Sequence, residues 1–329
     1  MSARLSISSW SLHRALGSVF HNLDGSTTEN GDISLLELPA KIAERGIKTL
    51  EICHFHFPQI DDDYIDDLRI SLDDAGVELF SILIDEGDIT HPDPEQRQRE
   101  MEQIRFWIEI AGKCGAGHAR VIAGCTDIQT DDAHHYEVIQ LSAKNLASLA
   151  KFGKKLGVKV TTENFRQVGK RADHLLAILD LCPEDIGLCV DFGNFKGDDK
   201  YTELAAILPK ATSVHAKAEW PVAGEMLRDE FTRCMNLATE AGFDETMSSM
   251  SPRIEPFPIS SVLRAIELSN RAERETTLAQ VAASRDPFRV LVATILSLRT
   301  KDETLSLIHI SEPQRPRLIS YAVFSLKKK

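Results

Sequence analysis

KVTTENF (159–165), IGLCVDFGN (186–194) and ATSVHAKA (211–218) are short, largely apolar runs, and each carries a carboxylate or an imidazole near its C-terminal end. Runs of this length that are rich in β-branched residues read as strands. A helix-length apolar segment, HLLAILDL (174–181), separates the first two. The same cadence extends upstream through LSISSWSL (5–12), TLEICHF (49–55), ELFSILID (78–85) and ARVIAGC (119–125). Between these runs lie the amphipathic segments SLLELPAKIAERG (34–46), EQRQREMEQIRFWIEIAGKCG (95–115) and YEVIQLSAKNLASLAKFGKKLG (136–157), and DEFTRCMNLATEAG (229–242) follows the last. Several close on glycine (Gly46, Gly115, Gly157, Gly242), the usual residue just past a helix C-terminus. Apolar strands alternating with helices form a parallel sheet covered by helices. Seven such strands in 5–218 fit an α/β (β/α)8 TIM barrel of about 250 residues better than an open sheet. No GxGxxG follows the first strand, which disfavours a dinucleotide-binding sheet.

The eighth strand should follow Ala241-Gly242-Phe243, but DETMSSMSPRIEPFPI (244–259) has little β-branching and contains Pro252, Pro256 and Pro258. The eighth strand is therefore expected to be irregular or missing, with Arg253–Phe257 as a replacement that its prolines demote. A helical C-terminal appendage follows, in which Asp286-Pro287 is a side-chain cap with proline at the first helical position. This divides the chain into a barrel over 1–258, a helical piece over 259–304 and a final stretch, 305–329, without periodicity.

Charge divides at the same place. Residues 259–329 hold 12 Lys+Arg against 7 Asp+Glu, net +5, leaving −17 on 1–258 out of a total of −12. An acidic body makes nucleic acid an unlikely partner, since affinity for a phosphate backbone comes largely from cations. The longest apolar stretch, Val290–Leu298, is interrupted by Thr294 and falls well short of the roughly 20 residues a membrane-spanning helix needs. The start, MSARLSISSW, lacks a basic region leading into an apolar one. The six cysteines form no CxxC pair and read as reduced thiols, so a cytoplasmic protein is expected.

In a barrel the C-terminal strand ends converge on the active face. Glu163, Asp191 and His215 sit at three successive strand ends, a mixed oxygen and nitrogen donor set suited to one divalent metal ion such as Mn²⁺, Co²⁺, Mg²⁺ or Zn²⁺. Asn164 and Asn194 stand beside two of them and are candidates for substrate binding. His54 and His56 after the second strand share one face, as substrate ligands or a proton relay, or else one is buried and the other lies in the loop. Lys217 shares the strand face of His215 and is placed to stabilise a developing oxyanion. Trp10 and Glu51 are pocket-lining candidates for substrate binding. Asp85-Glu86-Gly87-Asp88 reads as a site loop or a solvated acidic turn, Arg120 as a buried ion-pair partner or a substrate clamp, and His118, His134, His135 and His174 as surface or helix residues.

On EGDITHPD (86–93), GAGHARVIAG (115–124), TTENF (161–165), CVDFGNF (189–195) and SVHAKAEW (213–220), residues 3–245 resemble the sugar-phosphate isomerase/epimerase family of xylose-isomerase-like TIM barrels. The resemblance implies one divalent metal held by Glu163, Asp191 and His215, with Glu255 nearest to the family's fourth ligand. It implies an isomerase or epimerase of a small sugar or keto-polyol, working by proton abstraction next to a carbonyl with a metal-bound enediolate. In that scheme Glu163 is a ligand and base, and His54 or His56 orients substrate. A keto-polyol dehydratase on the same site, an endonuclease IV-like DNA-repair hydrolase and an inactive chimeric barrel are the alternatives. Barrels of this family often pair, so a homodimer is expected.

Residues 259–304 resemble the N-terminal helices of endonuclease III, through DPFRVLVATILSLRTKDET (286–304), without that family's catalytic half. LSLIHISEP (305–313) and the lysine-ended ISYAVFSLKKK (319–329) look like a translated sequencing adapter, from which Gln314 and Ser325 depart. The expectation is a chimeric reading frame whose last 25 residues (305–329) have no selected function.

Overall fold

A computed structural model of the chain describes residues 5–16, 33–128, 133–219, 227–243 and 323–327. Its strands are β1 (Ser6–Ser8), β2 (Thr49–Cys53), β3 (Glu78–Leu83), β4 (His118–Arg120), β5 (Lys159–Glu163), β6 (Gly187–Asp191), β7 (Ser213–Lys217) and β8 (Val323–Lys327). They form a closed barrel in chain order. Seven are parallel neighbours, β1 through β7, whereas β8 runs antiparallel to both β7 and β1. The helices are α1 (His13–Leu16), α2 (Leu38–Ala43), α3 (Asp62–Ala75), α4 (Pro94–Lys113), α5 (Ala133–Lys155), α6 (Ala172–Leu181), α7 (Lys200–Ile207) and α8 (Arg228–Ala238). Among the described residues no helix is long and apolar enough to cross a membrane.

Side-chain alternation sets the layers. Leu50, Ile52, Leu188, Val190 and Val214 are fully buried in the apolar core with Ile104, Ile108, Leu146, Leu149, Leu175 and Ile178 of the helices. Their strand neighbours Glu51, Cys189, Asp191 and His215 therefore point the other way, into the barrel. Alternation thus sorts apolar residues outward and polar ones inward, and the polar lining is concentrated on β2 and β5–β7.

Helix α3 is absent from the sequence reading because DDYIDDLRISLDDA is too acidic to look like a core helix. Its apolar positions nevertheless fall at Ile65, Leu68 and Leu72, a helical spacing that is buried. Asp61 caps its N-terminus by accepting from the Tyr64 N–H, Asp62 and Asp63 complement the first-turn dipole, and Gly76 closes it at φ +59°.

The strand that completes the ring does not follow Phe243. It is Val323–Lys327, paired Ser213↔Lys327 to Lys217↔Val323 on one side and Ile7↔Phe324 on the other. The eighth strand departs from the others in direction, and residues 323–327, within the stretch read as a non-native tail, furnish the closure. The proposed replacement strand Arg253–Phe257, the helical appendage 259–304 and Glu255 lie outside the described residues. Without β8 the ladder groups of β1 and β7 that face it lose their partners. Ending the chain at Tyr321 should therefore lower the thermal midpoint relative to the full chain. An unchanged midpoint by calorimetry would mean the barrel closes without this strand.

Candidate active site

Glu163, Asp191 and His215, three of the four expected ligands, come together on the inner faces of β5, β6 and β7. His215 Nδ1 lies 3.8 Å from Glu163 Oε1 and 4.0 Å from Asp191 Oδ2. Strand register explains the approach: Asp191 pairs with His215 and Glu163 with Cys189, so their side chains share the inner face. On its other side His215 Nε2 is 2.8 Å from Glu51 Oε2. A carboxylate only accepts, so Nε2 carries the proton and donates, and Nδ1 turns toward Glu163 and Asp191. A carboxylate that fixes the far nitrogen of an imidazole in this way is the usual support of a metal-ligating histidine. Glu51, expected to line a substrate pocket, is thus the partner that orients His215.

These groups are among the most buried in the chain, with Glu51, Glu163, Asp191 and His215 all 4% exposed or less. Arg120, equally buried, counters them from β4. Its Nε is 2.9 Å from Glu163 Oε2 and its Nη1 is 2.5 Å from Asp85 Oδ1 and 3.0 Å from the Ile84 carbonyl. Burial alone raises the Glu163 carboxyl, but Arg120, His215 and Lys217 outweigh it and hold it at about 2. Asp191 goes the other way: burial raises it, and Lys217 only partly opposes that. For His215, burial opposes the cation, yet Cys189 and Glu51 lift it well above the ordinary imidazole value. Of the readings open for Arg120, the geometry matches the buried ion-pair partner.

Two neighbours hold the carboxylates in place. The Asn164 amide donates to the Asp191 carbonyl at 2.9 Å and accepts from its N–H at 2.7 Å, so it pins the end of β6. Asn194 donates to Glu163 Oε1 at 3.0 Å. Lys217 brings Nζ to 4.0 Å from Asp191 Oδ2 by running across Gly193, where an added Cβ would stand 2.6 Å from the lysine stem.

The first two strand ends form an aromatic and imidazole wall. His54 and His56 occupy a 3₁₀ turn after β2, and both are buried. His54 Nδ1 accepts from the Asp85 N–H at 3.2 Å, and its Nε2 is 3.5 Å from Glu86. Glu86 in turn accepts from the Trp107 indole at 2.6 Å. His56 links Ser9 Oγ (2.7 Å) to His13 Nδ1 (2.9 Å). Trp10 packs against His13 and Phe55.

Asp85–Asp88, for which a site loop and a solvated turn are the two readings, is half-buried and tied inward. Asp85 pairs with Arg120, Glu86 with His54, and Asp88 Oδ1 accepts from Thr90 and from the Cys125 N–H. His174 is a buried helix residue, edge-on to His135. Ser9, His13 and Trp107 escaped the sequence reading because nothing local marks them. Cys189, two residues before Asp191 and hence on the same strand face, carried a signal in its spacing.

The family model described as xylose isomerase-like TIM barrel matches residues 39–253. The structure of L-ribulose 3-epimerase superposes with a TM-score of 0.57 at 17% identity, covering 96% of this chain and 100% of the other. A xylose isomerase-like TIM barrel protein from Mycobacterium smegmatis, solved in complex with magnesium, gives 0.52 at 15% identity over 91% of this chain and 98% of its own. The probable 3-DHS dehydratase AsbF from Bacillus anthracis gives 0.51 at 15% identity, over 91% and 99%. At these identities the likeness is one of fold. No curated protein matches the chain.

Arg120→Ala would leave Asp85 and Glu163 without their cation, and loss of one partner of a buried pair costs about 3–5 kcal/mol. Urea denaturation should show a loss of that order, and a loss below about 1 kcal/mol would place the pair among weak surface bridges. Burial, with His13 and His54 nearby, holds the His56 imidazole down at about 3, from an ordinary 6.5. Its contribution to stability is therefore complete above 6.5 and is lost as pH falls through that window toward 3. His56→Gln should flatten the fall in thermal midpoint between about pH 7.5 and about pH 5; an unchanged slope would assign that fall to other groups.

Proposed function

The chain belongs to the xylose isomerase-like TIM barrel family, and from that premise we propose that it is a divalent-metal-dependent isomerase or epimerase of a small sugar or keto-polyol. The observation that carries this reading is His215, held by Glu51 at Nε2 with Nδ1 facing Glu163 and Asp191. The fold it shares with L-ribulose 3-epimerase supports the same class. The −17 charge on residues 1–258 favours a small substrate over DNA.

Glu163, Asp191 and His215 would hold the ion, Mn²⁺, Co²⁺, Mg²⁺ or Zn²⁺, with Glu255 as a further ligand. When bound, such an ion supplies Lewis-acid polarisation of the substrate's carbonyl and adjacent hydroxyl oxygens. The protein's own groups do the rest. Glu163 is ionised throughout the neutral range and takes the proton from the carbon next to the carbonyl. Its Oε2 faces Arg120, and its Oε1 accepts from Asn194. The carboxyl so formed can return the proton to the neighbouring carbon on the face from which it came, which completes an isomerisation, whereas an epimerisation needs a second acid on the opposite face. Lys217 places a cation beside Asp191 to offset charge that develops on the substrate oxygen. His54, backed by Glu86, and His56, backed by His13, orient the hydroxyls, and Trp10 and Phe55 exclude water at the rim.

Two measurements test the reading. Mn²⁺ or Co²⁺ at 100 times its Kd should add about 2.7 kcal/mol to the folded state, an increment that Glu163→Ala abolishes. Ketopentoses and ketohexoses incubated in D₂O with the metal-loaded chain should gain deuterium next to the carbonyl, detected by proton NMR. The rate should fall at least about 100-fold in Glu163→Gln. Metal stabilisation without exchange into any sugar would refute the isomerase reading. Loss of water in place of simple exchange would move the site to the dehydratases.

A further inference from the structure

Beneath the site lies a donor that the proposed chemistry does not use. Cys189 is the inward-facing residue of β6 one step below Asp191, 3% exposed. It pairs in register with Glu163 on one side and Ser213 on the other. Its Sγ, a carboxylate oxygen of Glu163 and a ring nitrogen of His215 all lie within 4.8 Å of one another. That separation is what three ligands around one cation of about 2.0–2.3 Å bond length require after small side-chain adjustments. The strand that closes the ring, VFSLK (323–327), contains no carboxylate.

We propose that Cys189 is a ligand of the metal site, bound as thiolate together with Glu163 and His215, and that it makes the site selective for a thiophilic divalent ion, Zn²⁺ or Co²⁺, over Mg²⁺. This rests on the metal-dependent reading above. The step is coordination without redox change. The Sγ–H bond breaks, its proton leaves to solvent, and the sulfur lone pair forms the bond to the cation. The selectivity follows from donor softness, because an all-oxygen and imidazole set accommodates Mg²⁺ or Mn²⁺, whereas a thiolate favours the softer ions. A thiolate also adds a negative charge beside Glu163 and Asp191, which the dication offsets and the apo-protein would not tolerate.

The test is Co²⁺ titration of the full chain, under a non-chelating reductant, followed by absorption spectroscopy. The expected result is a thiolate-to-cobalt charge-transfer band in the near ultraviolet that saturates at one equivalent. The band should disappear in Cys189→Ser and Cys189→Ala and persist in Cys53→Ser and Cys125→Ser. Zn²⁺ should displace the cobalt, and a large excess of Mg²⁺ should not. Because Cys189 is buried and its replacement risks the fold, the parent spectrum is decisive by itself. Cobalt that raises the thermal midpoint in a Glu163-dependent way without any charge-transfer band overturns the role of Cys189 and leaves the metal site standing. A band that survives in a folded Cys189 variant, or vanishes in Cys53→Ser or Cys125→Ser, also overturns it. Absence of any cobalt-induced shift or spectrum removes both the thiolate ligand and the metal-dependent reading.

Discussion

Arg120 is the group on which the interior of this barrel depends. Three carboxylates, Glu51, Glu163 and Asp191, point into a space from which water is nearly excluded. Isolated buried carboxylates cost several kcal/mol each even after relaxation. The cost is met by cations held at short range. Arg120 bridges Glu163 and Asp85, His215 takes Glu51, and Lys217 faces Asp191. Each cation comes from a different strand or strand position, so the polar interior requires the order and register of β2 and β4–β7 to be those observed. Electrostatics and strand register specify one another here.

That arrangement also divides the labour of the site. β5, β6 and β7 supply a rigid donor cluster, with the Asn164 side chain fastened to the backbone of Asp191. The ends of β1 and β2 supply imidazoles and aromatic rings on 3₁₀ turns. A substrate placed between them would meet a wall of carboxylates and imidazole on one side and a partly apolar wall on the other. This is the arrangement in which polar groups fix orientation and rings exclude water. The loop after β3 couples the two walls. Its Asp85 contacts both Arg120 and the His54 ring, and Glu86 ties His54 to the Trp107 indole on α4.

Much of this was legible in the sequence. The seven parallel strands and the longer helices show themselves as apolar runs of the right length, and Glu163, Asp191 and His215 mark themselves by recurring at strand ends. What escaped did so for physical reasons. Helix α3 hides its buried stripe among six aspartates, because composition dominates the eye where spacing carries the information. Asp85–Asp88 is easily read as solvent-exposed because three acidic residues around a glycine usually are, and their partners Arg120, His54, Trp107 and Cys125 are remote in sequence. The eighth strand was sought just after Phe243, since barrel strands normally follow the preceding helix closely. The pairing partner of β7 and β1 comes instead from 323–327, with reversed direction.

The sequence by itself determined the alternation of strand and helix, the outward apolar face of each strand, and the concentration of carboxylates and imidazole at the ends of β5–β7. All of these follow from local periodicity, and periodicity is a property of neighbouring residues. Only the tertiary structure decided which polar groups meet. Glu51 clamps His215 from 164 positions away, Arg120 settles on both Asp85 and Glu163, and Cys189 turns toward the same cluster. Such encounters depend on closure of the ring, which brings the inner faces of distant strands to within hydrogen-bonding distance, and no local pattern encodes the partner on the far side of a barrel.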